Sequence, residues 1–219
     1  MGGYQVKPEL LEAVKKEVTA TNLQLLKSLQ GKEDIFNTTA YIKILFSDTL
    51  LEDVDFLNTL SGQPIFKVRY AQMILRDMLE QVIEFIFLMK HPDMIPEYLG
   101  DNINSNAPFG SNPVNELQKM ASGRYADGRK TVSEMAKDIN EKKSSPGRPA
   151  LYEIYRLLSE ECHNSYFFAR LDDFKEARDH SEILALSEDQ AQHLVIIVMR
   201  FMEAYSCLLY TSPSPRDMR

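Results

Sequence analysis

The 219-residue chain has only two cysteines, Cys162 and Cys207, too few for a disulfide framework, and neither sits at metal-ligand spacing from another thiol or imidazole. Its four histidines, His91, His163, His180 and His193, form no HxxxH or HExxH pair, so no metal and no cofactor are expected. A glycine-rich phosphate loop is also missing, which argues against a nucleotide-driven motor. No apolar run reaches spanning length, because Glu84 interrupts the longest one, and the opening MGGYQVKPELLEAVKK lacks the apolar core of a signal peptide. The expectation is a cytoplasmic protein with no membrane partner. Strand-like alternation and internal repeats are absent too, which leaves helix as the only regular structure to expect.

Positive charge is in short supply. With 25 Lys and Arg against 32 Asp and Glu the formal charge is -7, which disfavours a broad nucleic-acid-binding face and confines any RNA site to a local patch. One segment runs the other way. Between residues 119 and 148, Lys119, Arg124, Arg129, Lys130, Lys137, Lys142, Lys143 and Arg148 face only Asp127, Glu134, Asp138 and Glu141. This is either a solvated loop face or a patch that steers phosphate.

What the chain does have is apolar residues at helical spacing. At 44% hydrophobic content it can bury one core, and a single all-α domain over residues 1–206 is expected. Its centre is Phe66 to Lys90, uninterrupted by Pro or Gly and apolar on nearly every side, the pattern of a buried helix. Arg69, Arg76 and Glu80 share one face of it and need partners. Around it the spacing predicts helices over Lys7 to Gln30, about Thr38 to Ser61, Val114 to Met120, Thr131 to Asn140 and Pro149 to Arg170, and a last one after a Ser187/Gln190 capping box. Asp101 to Pro113 is the clearest loop, and the piece from His91 to Gly100 is short and irregular or partly helical. Asp48, Glu52, Asp53 and Asp55 mark the solvated side of the second helix, with Asp48 and Glu52 placed to face Arg69 or Arg76. Five major helices make the bundle.

The helix from Pro149 to Arg170 carries the residues with the most chemical content. Tyr152, Arg156, Ser159 and His163 fall at offsets 0, 4, 7 and 11 along one line, with Arg156 and His163 roughly 10 Å apart along the axis. Histidine exchanges a proton near neutrality and arginine holds phosphate through two parallel N–H groups, so the pair can flank one phosphate or meet its counterpart across a homodimer axis. The structural alternative pairs Arg156 with Glu80, Glu153 or Glu160 and leaves His163 at a helix end. Packing this helix on the central one lets Arg76 and Glu80 meet Tyr152, Arg156, Ser159 or His163 in one buried polar network, which either fixes the packing or forms a binding site.

Other chemistries fit less well. Ser159 has no strained elbow or oxyanion donors, and Cys162 stands about 100° round the helix from His163, a poor thiolate pair. Tyr152, Tyr155, Tyr166, Phe167 and Phe168 are read as packing before a base-stacking platform.

RDMLEQVIEFIFLMKHP (Arg76 to Pro92), TVSEMAKDI, and YEIYRLLSEECHNS (Tyr152 to Ser165) together resemble a widespread bacterial all-helical family of unknown function, with an Arg/Glu-bearing central helix and a later YRxLSxxxH helix. The resemblance covers about Tyr41 to Phe168. Arg156 to His163 also reads as R-x6-H and looks like the signature of HEPN domains, many of them metal-independent ribonucleases of toxin and phage-defence systems. It implies a homodimeric ribonuclease or RNA-binding effector of a defence or stress system, with His163 as acid/base, Arg156 as phosphate clamp, and RNA, an antitoxin or another protein as partner. Leu157 departs from it, because active members often carry a polar residue after the arginine. The alternative function is a non-catalytic helical module for a protein or small ligand. A second resemblance concerns the end of the chain: CLLYTSPSPRD, Cys207 to Asp217, looks like one reading frame of a transposase-type sequencing adapter. It implies a metagenomic or similarly assembled gene, with residues 207–219 a non-native tail.

Overall fold

The computed structural model describes residues 8–31, 35, 38–60, 63–99, 130–162, 183–184 and 188–207. Among the described residues five long helices dominate: α1 (Pro8–Leu29), α2 (Thr39–Leu60), α3 (Ile65–Lys90), α6 (Leu151–Cys162) and α7 (Glu188–Cys207). Between α3 and α6 come, among the described residues, a 3-10 turn (Pro92–Met94) and two short helices, α4 (Ile95–Leu99) and α5 (Val132–Asp138). The fold is an all-α bundle. Among the described residues it carries a two-residue antiparallel ladder, Gln63 opposite Leu184 and Pro64 opposite Ile183. Pro64 has no N–H to give, which helps keep the ladder short.

The central helix is where the sequence puts it. α3 packs against α2, α5, α6 and α7, and buries Ala71, Leu75, Met78, Leu79, Val82, Ile83, Phe85, Phe87 and Leu88. An aromatic column joins three of these helices: Phe46 stands 5.6 Å from Phe85, Phe85 4.7 Å from Phe201, and Phe201 5.4 Å from Tyr205. The burial is not complete, however. A strip of α3 stays open, where Tyr70 and Asp77 are exposed and Met73 is 55% exposed.

α1 packs on α2, and a buried polar cluster ties this pair to α7. Asn22 Nδ2 donates to Ser47 Oγ (2.8 Å) and Asp48 Oδ1 (2.9 Å), while the Tyr205 hydroxyl donates to Asn22 Oδ1 (2.7 Å). Burial pushes the Tyr205 phenol up to about 12, so it remains a donor. Lys43, only 4% exposed, donates to the Tyr205 carbonyl at 2.8 Å, in the last turn of α7 where the helix dipole favours a cation. Asp48 is thus engaged by Asn22; no pairing with Arg76 is seen among the described residues, and the side chain of Arg69, the other partner expected for it, lies outside them. Glu52 and Asp55 are on the solvated side, as expected, whereas Asp53 is half-buried.

The approach to α6 is built in two steps. Thr131 and Glu134 form a reciprocal capping box at the start of α5, and Asn140, at φ 62°, ends it in the left-handed region. Ser145 and Arg148 then exchange backbone hydrogen bonds of 3.0 and 2.9 Å round Pro146-Gly147, where Gly147 supplies φ 72°. This reversal aims the chain into α6. The expected helix from Val114 to Met120 and the loop from Asp101 to Pro113 lie outside the described residues, as does Ser187.

Candidate functional site

Leu151, Ile154 and Leu158 fix the rotation of α6, because their apolar side chains are buried against the core. From that inward line Tyr155 stands about 70° round the helix, Ser159 about 110° and Arg156 about 170°. Tyr155 and Ser159 therefore flank α3, and Arg156 points to water. The N-terminus of α6 is held by side chains from the preceding turn: Ser144 Oγ accepts from Ala150 N (2.9 Å) and donates to Glu153, and Glu141 Oε2 accepts from Leu151 N (3.2 Å).

Glu141 is itself a hub. Only 5% exposed, it pairs with Arg148 (2.9 Å) and Arg200 (3.5 Å), and both arginines reach Glu203 as well. A carboxylate this buried is stable only with such partners.

Between α3 and α6 lies the polar network. Arg76 Nε donates to Ser159 Oγ (3.0 Å), Arg76 Nη2 donates to the Tyr155 hydroxyl (2.8 Å), and Ser159 Oγ donates to the Tyr155 carbonyl (2.7 Å). Glu80 completes it, accepting from the Tyr155 hydroxyl at 3.4 Å and lying 3.7 Å from Arg76 Nη2. Burial, followed by the negative charge of Glu80, raises the Tyr155 pKa above the ordinary phenol value, so the hydroxyl keeps its proton. The rings add a second layer. Tyr152 stacks on Tyr155 at 5.9 Å, the Arg76 guanidinium lies 4.9 Å from the Tyr155 ring centre, and Lys142 Nζ lies 5.8 Å from that of Tyr152.

Of the residues singled out in the sequence, Arg76, Glu80 and Ser159 thus meet directly, and Tyr152 joins them through the Tyr155 ring. Arg156 does not join. Its side chain is 71% exposed and its partner is Glu160 at 3.6 Å, the helical i,i+4 alternative. A residue about 170° from the buried line cannot reach α3 even though it shares a rough line with Tyr152 and Ser159. His163 lies outside the described residues, and so does Arg69's side chain. Tyr155, which sequence reasoning had assigned to packing, is the centre of the network. Its signal was present in the same helical arithmetic: it stands three residues after Tyr152 and four before Ser159, nearer the buried line than either.

The basic segment is partly spent on structure. Lys130 and Arg148 both pair with carboxylates, Lys130 with Asp138 at 3.1 Å. Asp138 also takes Lys90 Nζ and His91 Nε2, each at 2.8 Å, and these donors hold its carboxyl well below the usual carboxylate range. Residues 119–129 lie outside the described part of the chain. Among the described residues no group of His, Cys, Asp or Glu is arranged to hold a metal ion, and no helix is long and apolar enough to cross a membrane. Comparisons with protein-family models, with curated proteins and with solved structures found no match to this chain.

Proposed function

We propose that the protein is a HEPN-like, metal-independent endoribonuclease acting as a homodimer in a defence or stress system, with Arg156 as phosphate clamp and His163 as acid/base. The observation that supports this reading is the exposure of Arg156. A clamp must keep its guanidinium available to phosphate oxygens, and a 3.6 Å surface contact with Glu160 is weak enough for an incoming phosphate to replace. Arg76 is the opposite case, since its Nε and Nη2 donors are already engaged. In the reaction the RNA 2'-oxygen attacks the adjoining phosphorus and gives its proton to the base, the bond from phosphorus to the 5'-oxygen breaks, and that oxygen takes a proton. The products are a 2',3'-cyclic phosphate and a 5'-hydroxyl, and no metal is needed.

One observation favours the second reading, a non-catalytic binding module. The Arg76, Tyr155, Ser159 and Glu80 groups satisfy one another, as a network that only fixes helix packing would.

The test is incubation of the chain, and of its His163→Ala and Arg156→Ala forms, with mixed RNA in EDTA. Cleavage by the parent alone, leaving cyclic phosphate ends, is the expected result. A folded, dimeric parent that leaves every RNA intact overturns the ribonuclease and favours the binding module.

A further inference from the structure

Lys142, Tyr152, Tyr155 and Arg76 are linked pairwise: the two rings stack on each other, Lys142 lies near the Tyr152 ring and Arg76 near the Tyr155 ring. The rings are 23° from parallel, and all four residues are only partly buried. The two ends differ in freedom. Arg76 is fixed by Ser159 and the Tyr155 hydroxyl, so the inner end is rigid. Lys142 has no ion pair among the described residues, and at 5.8 Å from the Tyr152 ring centre it sits near the outer edge of the range for a cation on a ring face. A flat group that takes its place displaces this ring contact and weakens the attraction of Lys142 to Glu134.

We propose that this stack is a platform for unpaired bases of RNA, on which a base replaces Lys142 over Tyr152 and the displaced ammonium moves to the neighbouring phosphate. The proposal rests on the ribonuclease reading and narrows its substrate to single-stranded RNA. Aromatic faces beside cations are the chemistry that holds single strands, because every base offers a π-face and every step a phosphate. Pre-stacking on Tyr155 and Arg76 holds the Tyr152 ring in place, so little order is lost on binding. Arg156 follows Tyr152 by one helical turn, about 6 Å along the axis, which sets the platform beside the clamp. A duplex hides its base faces and cannot use such a site.

The experiment measures anisotropy of a fluorescent twelve-nucleotide 2'-O-methyl RNA, which cannot be cleaved, bound to the full chain in EDTA, with a blunt duplex of the same sequence as comparison. Tyr152→Leu is expected to weaken single-strand binding about tenfold and Tyr152→Phe to preserve it. Lys142→Gln, an exchange at a partly buried lysine, is expected to lower the slope of log affinity against log salt by about 0.7, the value of one phosphate contact on a single strand. Duplex binding as tight as single-strand binding overturns the platform. So does a Tyr152→Leu protein of unchanged melting and unchanged affinity; if that variant does not fold, an unaltered salt slope in Lys142→Gln overturns it instead. Cleavage of ordinary RNA by a parent whose platform variants bind normally leaves the ribonuclease standing without the platform. Single-strand binding that needs Tyr152, from a parent that cleaves nothing, keeps the platform and removes the ribonuclease. A parent that neither binds nor cleaves overturns both.

Discussion

Arg76 and Tyr155, 79 residues apart in sequence, are joined twice: the guanidinium donates to the phenol oxygen at 2.8 Å and lies 4.9 Å from the centre of the same ring. This double contact ties α6 to α3. Removing the hydroxyl alone, in Tyr155→Phe, leaves one donor of a part-buried cation unmet and is expected to cost about 1–2 kcal/mol. Adding Arg76→Met to that variant should cost less than the sum of the two single changes, since both remove the same bond. Urea unfolding of the four proteins checks it, and strict additivity would show that the contact carries no coupling.

Glu141 is a buried charge with several partners. Glu141→Ala strips Arg148 and Arg200 of a shared carboxylate and frees the Leu151 amide, and the expected loss is about 3–5 kcal/mol, enough to threaten folding of the domain. A melting temperature close to that of the parent would contradict the role of Glu141 as anchor of the α6 N-terminus.

Asp53 is expected to behave in the opposite sense. Its pKa is raised from 3.8 to about 6 by burial first and by the neighbouring Asp77 carboxylate second, while Gln81 donates to both groups. A raised pKa means that the folded state holds the proton more tightly, so this contribution to stability is full below about pH 4 and is lost as pH rises through 6. Asp53→Asn should therefore stabilise the protein at pH 7.5, by about 1 kcal/mol after allowance for solvent screening, and make little difference at pH 4. Thermal melts across that range decide the matter.

Asp138 has the reverse sign. Lys90, His91 and Lys130 hold its pKa down, so its contribution is present above the ordinary carboxylate pKa and fades as pH falls through the lowered one. Asp138→Asn is expected to lower the melting temperature at pH 7, with a deficit that narrows toward acid pH. A deficit independent of pH would mean that the asparagine disturbs packing and not charge.

Arg156→Ala should change stability by less than about 0.5 kcal/mol, because an exposed i,i+4 pair is all it removes. On the ribonuclease reading the same change abolishes cleavage, and this separation of activity from stability marks a functional arginine.

The apolar spacing of Phe66 to Lys90 was enough to establish a central helix, and the periodicities beside it located α1, α2, α5, α6 and α7 to within a few residues of most observed ends, because burying an apolar face is a local demand written in the residue order. The C-terminal reach of α6 toward Arg170 lies beyond the described residues. Spacing also placed Arg76 and Glu80 to meet Tyr152, Arg156, Ser159 or His163, and of these Ser159 bonds to Arg76 directly. It did not determine which flank of α6 meets α3. That choice depends on how Leu151, Ile154 and Leu158 settle into the core, and it made Tyr155 the hub and turned Arg156 outward. Charge pairing was equally beyond the sequence: Asp48 went to Asn22, and Asp138 gathered Lys90, His91 and Lys130. Such pairs act over a few ångströms between segments far apart in the chain, so only the packed bundle selects them.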